Sequence, residues 1–453
     1  MHPQLRVICA ALLIALGAFA PAQLALAPSA LAQEAAPAGK LVKVVILSRH
    51  GVRSPTLRQA ELDTWTASPW PVWWCDGKVC EPGQLTPLGR KLAEQMGIYY
   101  RTYLSTLLPG ESCPAASDVY FWADVTERTR ETALALLRGF RPACDPSTNY
   151  HTAAGHHDPI FHPVRHGGPC RLDAARAEAD MLARAGGDLA NVAKALAPEL
   201  AIAQQTLQCC QPRLCESAST LCRRPAVPPN TCTLADRLPS CLVRREEHGV
   251  IGQVALGGAL RVASTFAEIV LLEYANGFPT NEVGWGRITR EQMTQAFRLH
   301  TAAFDLEQRT PYVAALQGSP LLERILGALT DASSNAPGGA PPGAKFVAYV
   351  GHDTNIANIA GMLGLTWQQP GYQKDQTPPT GALVFELRQT DAGARTVHVF
   401  YAASSLDEMR AVRGESPVRT PVRVPGCGAD GTACPLADFA KLVGAKLDRS
   451  CTQ

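Results

Sequence analysis

The sequence predicts an α/β fold, a mostly parallel central sheet flanked by helices, with a mainly helical segment inserted as a cap. Three observations predict it. Short Val- and Ile-rich runs at Leu41–Leu47, Val119–Ala123 and Lys345–Val350 read as buried parallel strands. The second and third of these run directly into helix-start signals. The stretch from Leu172 to Tyr274 is different in character: Ala-rich, helical in period and without strand alternation.

The 453 residues, 46% hydrophobic and 18% charged, are enough for a large core. A net charge of +2, from 42 basic against 40 acidic residues, leaves no footprint for nucleic acid or an anionic membrane. Arg6, the apolar run Val7–Ala20 and then Ser29-Ala30-Leu31-Ala32 read as a secretory signal cut after Ala32, with Ala27 as the alternative. A membrane anchor fits less well, because the apolar core is short. The expected layout is a signal over 1–32, an α/β domain in two parts (33–168 and 291–453) and a helical cap over 169–290, in a periplasmic or secreted protein. Removing Cys9 with the signal leaves 14 of the 15 cysteines. An even count in an exported chain points to disulfides. The cluster Cys209, Cys210, Cys215, Cys222, Cys232 and Cys241 has no paired C-x-x-C knuckle, which weighs against a metal site.

In chain order, the first strand delivers Arg49-His50-Gly51-Val52-Arg53-Ser54-Pro55-Thr56 to its C-terminal end, where open α/β sheets place ligands. Gly51 lets the backbone turn, and arginine forks around an imidazole suit a phosphate ester under nucleophilic attack. Trp65, Trp70, Trp73 and Trp74 follow in a Trp/Pro/Gly-rich stretch. They either wall the mouth of a site or pack a long loop against the body. Thr86 and Pro87 open a helix that should run to about Leu108. After the strand Val119–Ala123, Asp124 and Glu127 fit a capping box, and the helix carries Arg128 and Arg130 near its start. From pattern alone either arginine can reach an anion at that helix end. Helices are expected over Leu172–Ala185, Leu189–Leu207 and Val254–Tyr274, and a Pro/Gly loop over Ser334–Gly343. The strand Lys345–Val350 then ends in Gly351-His352-Asp353-Thr354-Asn355, with a helix from Ile356 to Leu363. Thr380–Glu386 and Val397–Ala402 look like closing strands. His156-His157-Asp158 reads as a surface loop, since adjacent histidines point apart.

Arg49–Thr56, the segment Ala123–Arg130, Gly351–Asn355 and the cysteine framework together resemble the histidine acid phosphatases, the branch of the histidine phosphatase superfamily that includes bacterial phytases and glucose-1-phosphatases. The match runs in order across nearly the whole mature chain. The resemblance implies a phosphoglycerate-mutase-like fold and a reaction through a phosphohistidine. It implies His50 as nucleophile, Asp353 as proton donor, and Arg49, Arg53, Thr56, Arg128 and His352 around the phosphate. Arg309 resembles a substrate-contacting arginine, with a surface ion pair as the alternative. The resemblance also implies the disulfides Cys113–Cys144, Cys170–Cys451, Cys222–Cys232 and Cys427–Cys434. Cys75 and Cys80 can close a further small loop. Where phytase relatives carry a lysine after the signature threonine, this chain has Leu57. In the matching cap helix Thr265 replaces a methionine and Glu268 is retained. The chain is expected to act as a monomer on a small phosphate ester, phytate ahead of glucose 1-phosphate, with no cofactor, metal, nucleic acid or membrane partner. A turnover-deficient phosphate binder and a mutase-like transferase fit less well, given His50, Asp353 and the export signal.

Overall fold

The computed structural model describes residues 37–452 except 111–112, 166–167, 209–233, 235–239, 333–335 and 414–415. The expected signal and the Cys222–Cys232 pairing lie outside those residues. From Ala38 onward the chain packs as one unit.

Strand β1 (Lys40–Arg49) begins the sheet, and helix α1 (Pro87–Tyr103) follows it. Then come β2 (Val119–Ala123), α2 (Glu127–Phe140) and the short β3 (Tyr150–Thr152). The inserted layer contains α3 (Ala174–Arg184), α4 (Leu189–Ala195), α5 (Ala197–Leu207), the hairpin β4 (Cys241–Glu247) and β5 (Val250–Gly257), α6 (Gly258–Ala275) and α7 (Arg298–Glu307). The chain returns through α8 (Pro311–Thr330), β6 (Phe346–Gly351) and α9 (Asp353–Leu363). It closes with β7 (Ala382–Gln389), β8 (Arg395–Ala403), β9 (Val418–Val422), β10 (Cys434–Pro435) and α10 (Leu436–Lys446).

The sheet order is β9-β8-β7-β1-β6-β2-β3, with β10 also pairing β8. The α/β architecture is as expected, and the sheet is parallel from β1 through β6 and β2 to β3. On the other side of β1 it is antiparallel, because β7, β8 and β9 are joined without helical crossovers. Alternation along β1 divides the core. Val44 and Ile46 pack under α1 and α2, while Val45 and Leu47 pack under α8, α9 and α10. Helices α1 and α2 approach at Gly97 and Gly139: a Cβ on Gly139 would lie 1.8 Å from the Glu94 carbonyl oxygen. Thr86 caps α1 as expected, accepting from the Gly89 N–H at 2.9 Å, and the helix ends at Tyr103 rather than Leu108.

Three local readings are corrected. The expected helix over Val254–Tyr274 begins only at Gly258, and Val254–Gly257 belongs to a hairpin that carries no clear alternation in sequence. The single helix over Leu189–Leu207 is two, divided at Leu196, where Pro198 opens the second. Asp124 does not cap α2. Thr126 stands at that position, and Glu127 accepts from the Leu85 N–H at 2.9 Å.

Trp65, Trp70 and Trp73 are buried in the apolar core of the inserted layer, Trp70 against Phe266 and Trp73 against Phe278. The packing alternative therefore holds for them, and only Trp74 is exposed. The disulfides Cys75–Cys80, Cys113–Cys144, Cys170–Cys451 and Cys427–Cys434 are formed. Among the described residues no helix is long and apolar enough to cross a membrane.

In α6, Glu273 is fully buried, with one carboxylate oxygen accepting from the Gly284 N–H at 2.9 Å and the other without a partner. Burial pushes its carboxyl up to about 8. A value raised above that of the unfolded chain stabilises the fold most below pH 4.5, and the contribution fades as pH rises towards 8. Glu273→Gln should therefore be neutral at pH 4 and stabilising at pH 7.5, by an amount on the order of 4 kcal/mol. Urea unfolding at the two pH values checks this.

Candidate active site

Parallel strands β1 and β6 are neighbours, with Arg49 level with Gly351. That register sets His50 beside His352, their ring centroids 5.5 Å apart. The backbone at His50 is fixed on both sides: its N–H donates to the Gly351 carbonyl at 2.9 Å, and its carbonyl accepts from the Thr380 N–H at 3.1 Å. The Gly51 N–H donates to Thr132 Oγ1 at 3.0 Å, tying the turn to α2. Gly51 admits no side chain there, since a Cβ would lie 2.7 Å from the Gly89 carbonyl oxygen.

His50 Nδ1 lies 2.8 Å from the Gly51 carbonyl oxygen, a pure acceptor, so Nδ1 carries the proton. In the neutral ring Nε2 then holds a free lone pair. Burial, followed by the charges of Arg128, Arg49 and Arg53, holds this imidazole well below its usual range, so it stays neutral in acid.

His352 has the opposite tautomer. Its Nε2 donates to Asp124 Oδ2 at 2.7 Å, and its Nδ1 accepts from the Arg128 guanidinium at 3.3 Å. Burial first, then the Arg128 charge, lowers His352 to about 4 against the pull of Asp124. Burial alone would raise the Asp124 carboxyl, but the imidazoles of His162, 3.4 Å away, and His352, hydrogen-bonded to it, hold it well below the carboxylate range. Arg128, lowered by burial to about 10, remains a cation in acid.

A cavity of about 650 Å³ opens over these groups. His50, Arg53, Thr56, Arg128, His352 and Asp353 line its inner end, so six of the eight expected residues converge. Arg49 lies one layer beneath. Its fully buried guanidinium is held through its two terminal nitrogens by Asp353 at 2.7 Å, Glu268 at 2.6 Å and the Thr377 carbonyl at 2.6 Å. Glu268 also accepts from Arg53 at 2.8 Å. Burial would raise its carboxyl, yet Arg53, His300 and Arg49 hold it well below its usual value.

Arg309 is not in the lining. It is buried, donates to the Leu365 carbonyl at 2.6 Å and sits 3.5 Å from Asp375. Arg309→Ala should lower stability by about 1–3 kcal/mol, as lost charge-assisted hydrogen bonds do. KM for a small aryl phosphate should not change; thermal melts alongside kinetics check both.

Several site residues were not singled out from sequence. Glu268 matches the family's cap helix, but its neighbours in sequence give no sign that it clamps two arginines. Asp124 looked like a cap. The hairpin β4–β5 adds Arg245, Glu246 and Gln253 to the outer cavity, and the end of α7 adds Glu307. Burial pushes Glu307 up to about 7.

A family model described as histidine phosphatase superfamily (branch 2) matches residues 40–185 and 274–402. The chain is 36% identical to phytase AppA of Escherichia coli strain K12 over 441 residues, 94% of this chain and 96% of that protein. It is 30% identical to a glucose-1-phosphatase of Salmonella typhimurium strain LT2 over 435 residues, 93% and 96% of the two chains. Among solved structures it resembles Hafnia alvei phytase in its apo form, at 36% identity and a TM-score of 0.82, covering 92% of this chain and 100% of that one. The same phytase in complex with myo-inositol hexakis sulphate matches at 36% identity and a TM-score of 0.81, with the same coverage.

Proposed function

Because the chain belongs to branch 2 of the histidine phosphatase superfamily and is a histidine acid phosphatase, we propose that it is exported and hydrolyses phytate, inositol hexakisphosphate, through a phosphohistidine. One observation carries the chemistry: a neutral imidazole with a free Nε2 faces the same cavity as Arg53, Arg128, His352 and Asp353. In this reading Nε2 attacks phosphorus in line, forming the P–N bond as the P–O bond to the inositol oxygen breaks. Arg53 and Arg128 hold the equatorial oxygens, and Asp353 gives its proton to the departing oxygen. Water then attacks the phosphohistidine while Asp353 takes up its proton, releasing inorganic phosphate and restoring His50. Arg49, buried behind Asp353, orients that carboxyl and Glu268 holds Arg49 and Arg53 in place.

Phytate is favoured by the near full-length similarity to two proteins named as phytases. Export is supported by the residue 1–32 pattern and by the disulfides among the described residues, which need an oxidising compartment. Two observations favour a sugar monophosphate instead: Leu57 stands in the lysine position, and Glu246 and Glu247 offset Arg165 and Arg245 in the outer cavity. Initial rates on inositol hexakisphosphate and glucose 1-phosphate, measured side by side in acid, decide between them. The expected kcat/KM ratio favours the inositol ester by about tenfold or more, equal to about 1.4 kcal/mol of differential binding. A ratio below one would make the sugar phosphate the better assignment.

A further inference from the structure

Four imidazoles run in a file, the first three of them, His50, His352 and His162, lining the cavity. His50 and His352 are 5.5 Å apart by ring centroid, His352 and His162 5.2 Å, and His162 and His157 6.5 Å. The proposed reaction uses the first two. His162 projects from the loop after β3 towards Asp124, its Nε2 3.4 Å from Asp124 Oδ2 and without a hydrogen-bond partner. Asp124 is fully buried, and its Oδ1 also lacks a partner. Orphaned polar atoms at such depth call for a missing partner.

One ligand atom from each of Asp124, His162 and His352 lies within 4.8 Å of the others. Two imidazoles and a carboxylate suit a first-row divalent ion of zinc type, which takes three protein ligands and keeps a fourth position open. With bonds of about 2.0–2.1 Å, tetrahedral coordination separates ligand atoms by about 3.4 Å. The Asp124–His162 spacing already meets this, and the 2.7 Å Asp124–His352 contact must open slightly. His162 and His352 both line the cavity, which gives the ion a route in. A second cluster, Glu268, His300 and Asp353, offers no such vacancy, because Arg49 and Arg53 already occupy its carboxylates.

We propose that Asp124, His162 and His352 form a binding site for a divalent transition-metal ion such as Zn²⁺, and that filling it inhibits the enzyme. The ion takes the Nε2 position of His352, and the single ring proton moves by exchange with solvent from Nε2 to Nδ1, with no net release. There it meets the Arg128 guanidinium, now donor against donor where an acceptor stood before. Arg128 is driven off His352, and the phosphate cup loses its alignment. The binding half needs no assumption about the reaction; the inhibition half rests on the phosphatase reading.

The test uses the full mature chain with disulfides intact. Titration with Co²⁺ should give one equivalent of saturable binding, with visible ligand-field bands of nitrogen and oxygen coordination. Zn²⁺ should displace the Co²⁺ and, in parallel, inhibit hydrolysis of an aryl phosphate, a substrate that does not sequester the metal. His162→Asn should weaken Co²⁺ binding and Zn²⁺ inhibition together by roughly tenfold or more, as loss of one ligand requires. His157→Asn should leave both in place. Absence of saturable Co²⁺ binding in the parent chain, or equal binding and inhibition in His162→Asn, overturns the proposal. So does loss of the site in His157→Asn with retention in His162→Asn. The Co²⁺ spectrum is read without turnover, so an error in the phosphatase reading would leave it standing.

Discussion

His50→Ala should reduce aryl phosphate turnover by roughly 10⁴-fold or more, the scale of losing a catalytic nucleophile, while leaving the fold intact. The fold should survive because the residue is anchored mainly through its backbone, by Gly351 and Thr380. The only described side-chain hydrogen bond of His50 is from Nδ1 to the adjacent Gly51 carbonyl, and the ring itself lines the cavity. The chemistry should not survive. No second imidazole in the cavity combines a free Nε2 with in-line access: His352 Nε2 is committed to Asp124, and His162 faces the same carboxylate. Phosphate binding should persist, since Arg53 and Arg128 are untouched. Rapid acid quench with labelled substrate should trap a phosphoprotein in the parent chain and none in the variant. A variant that kept most of its turnover would remove His50 from the nucleophile role.

Asp353→Asn should cost about 10² to 10⁴-fold, the range for loss of a positioned general acid. The size should depend on the leaving group. An inositol or alkyl oxygen needs a proton as it departs, whereas a nitrophenolate leaves nearly unaided. The loss should therefore be large on the alkyl ester and small on the aryl ester. Asp353 also touches Arg49 at 2.7 Å, so removing its charge can disturb that guanidinium. Arg49 keeps two partners in the variant, Glu268 and the Thr377 carbonyl, which should hold it in place. Equal losses on both esters would assign Asp353 a role in positioning Arg49 instead of proton transfer.

The parts legible in sequence were those set by near neighbours along the chain. Val119–Ala123 is a strand over those same residues, and Thr86 with Pro87 marks where α1 begins. His50 and His352 each follow an apolar strand, and two strands that end in histidines needed only to be adjacent and parallel to build one site. Strand alternation, capping and turn chemistry act over a few residues, so they can be read before the fold is known. The short hairpin β4–β5 escaped because β4 passes from half-buried to exposed and β5 from half-buried to fully buried along its length, so neither strand shows an apolar period.

What only the tertiary structure decided was which partner each polar group takes. Asp124 reads locally as a helix cap, yet its carboxylate belongs to His352, 228 positions away. Arg49 and Arg53 look alike beside His50, but one is buried under Glu268 and Asp353 while the other lines the cavity. Arg309 reads as a substrate contact or an ion pair, and in the fold it is buried against the Leu365 carbonyl and Asp375, outside the cavity lining. A buried charge must find compensation wherever the folded chain offers it. That offer is fixed by sheet order and helix packing, which no stretch of a few residues contains.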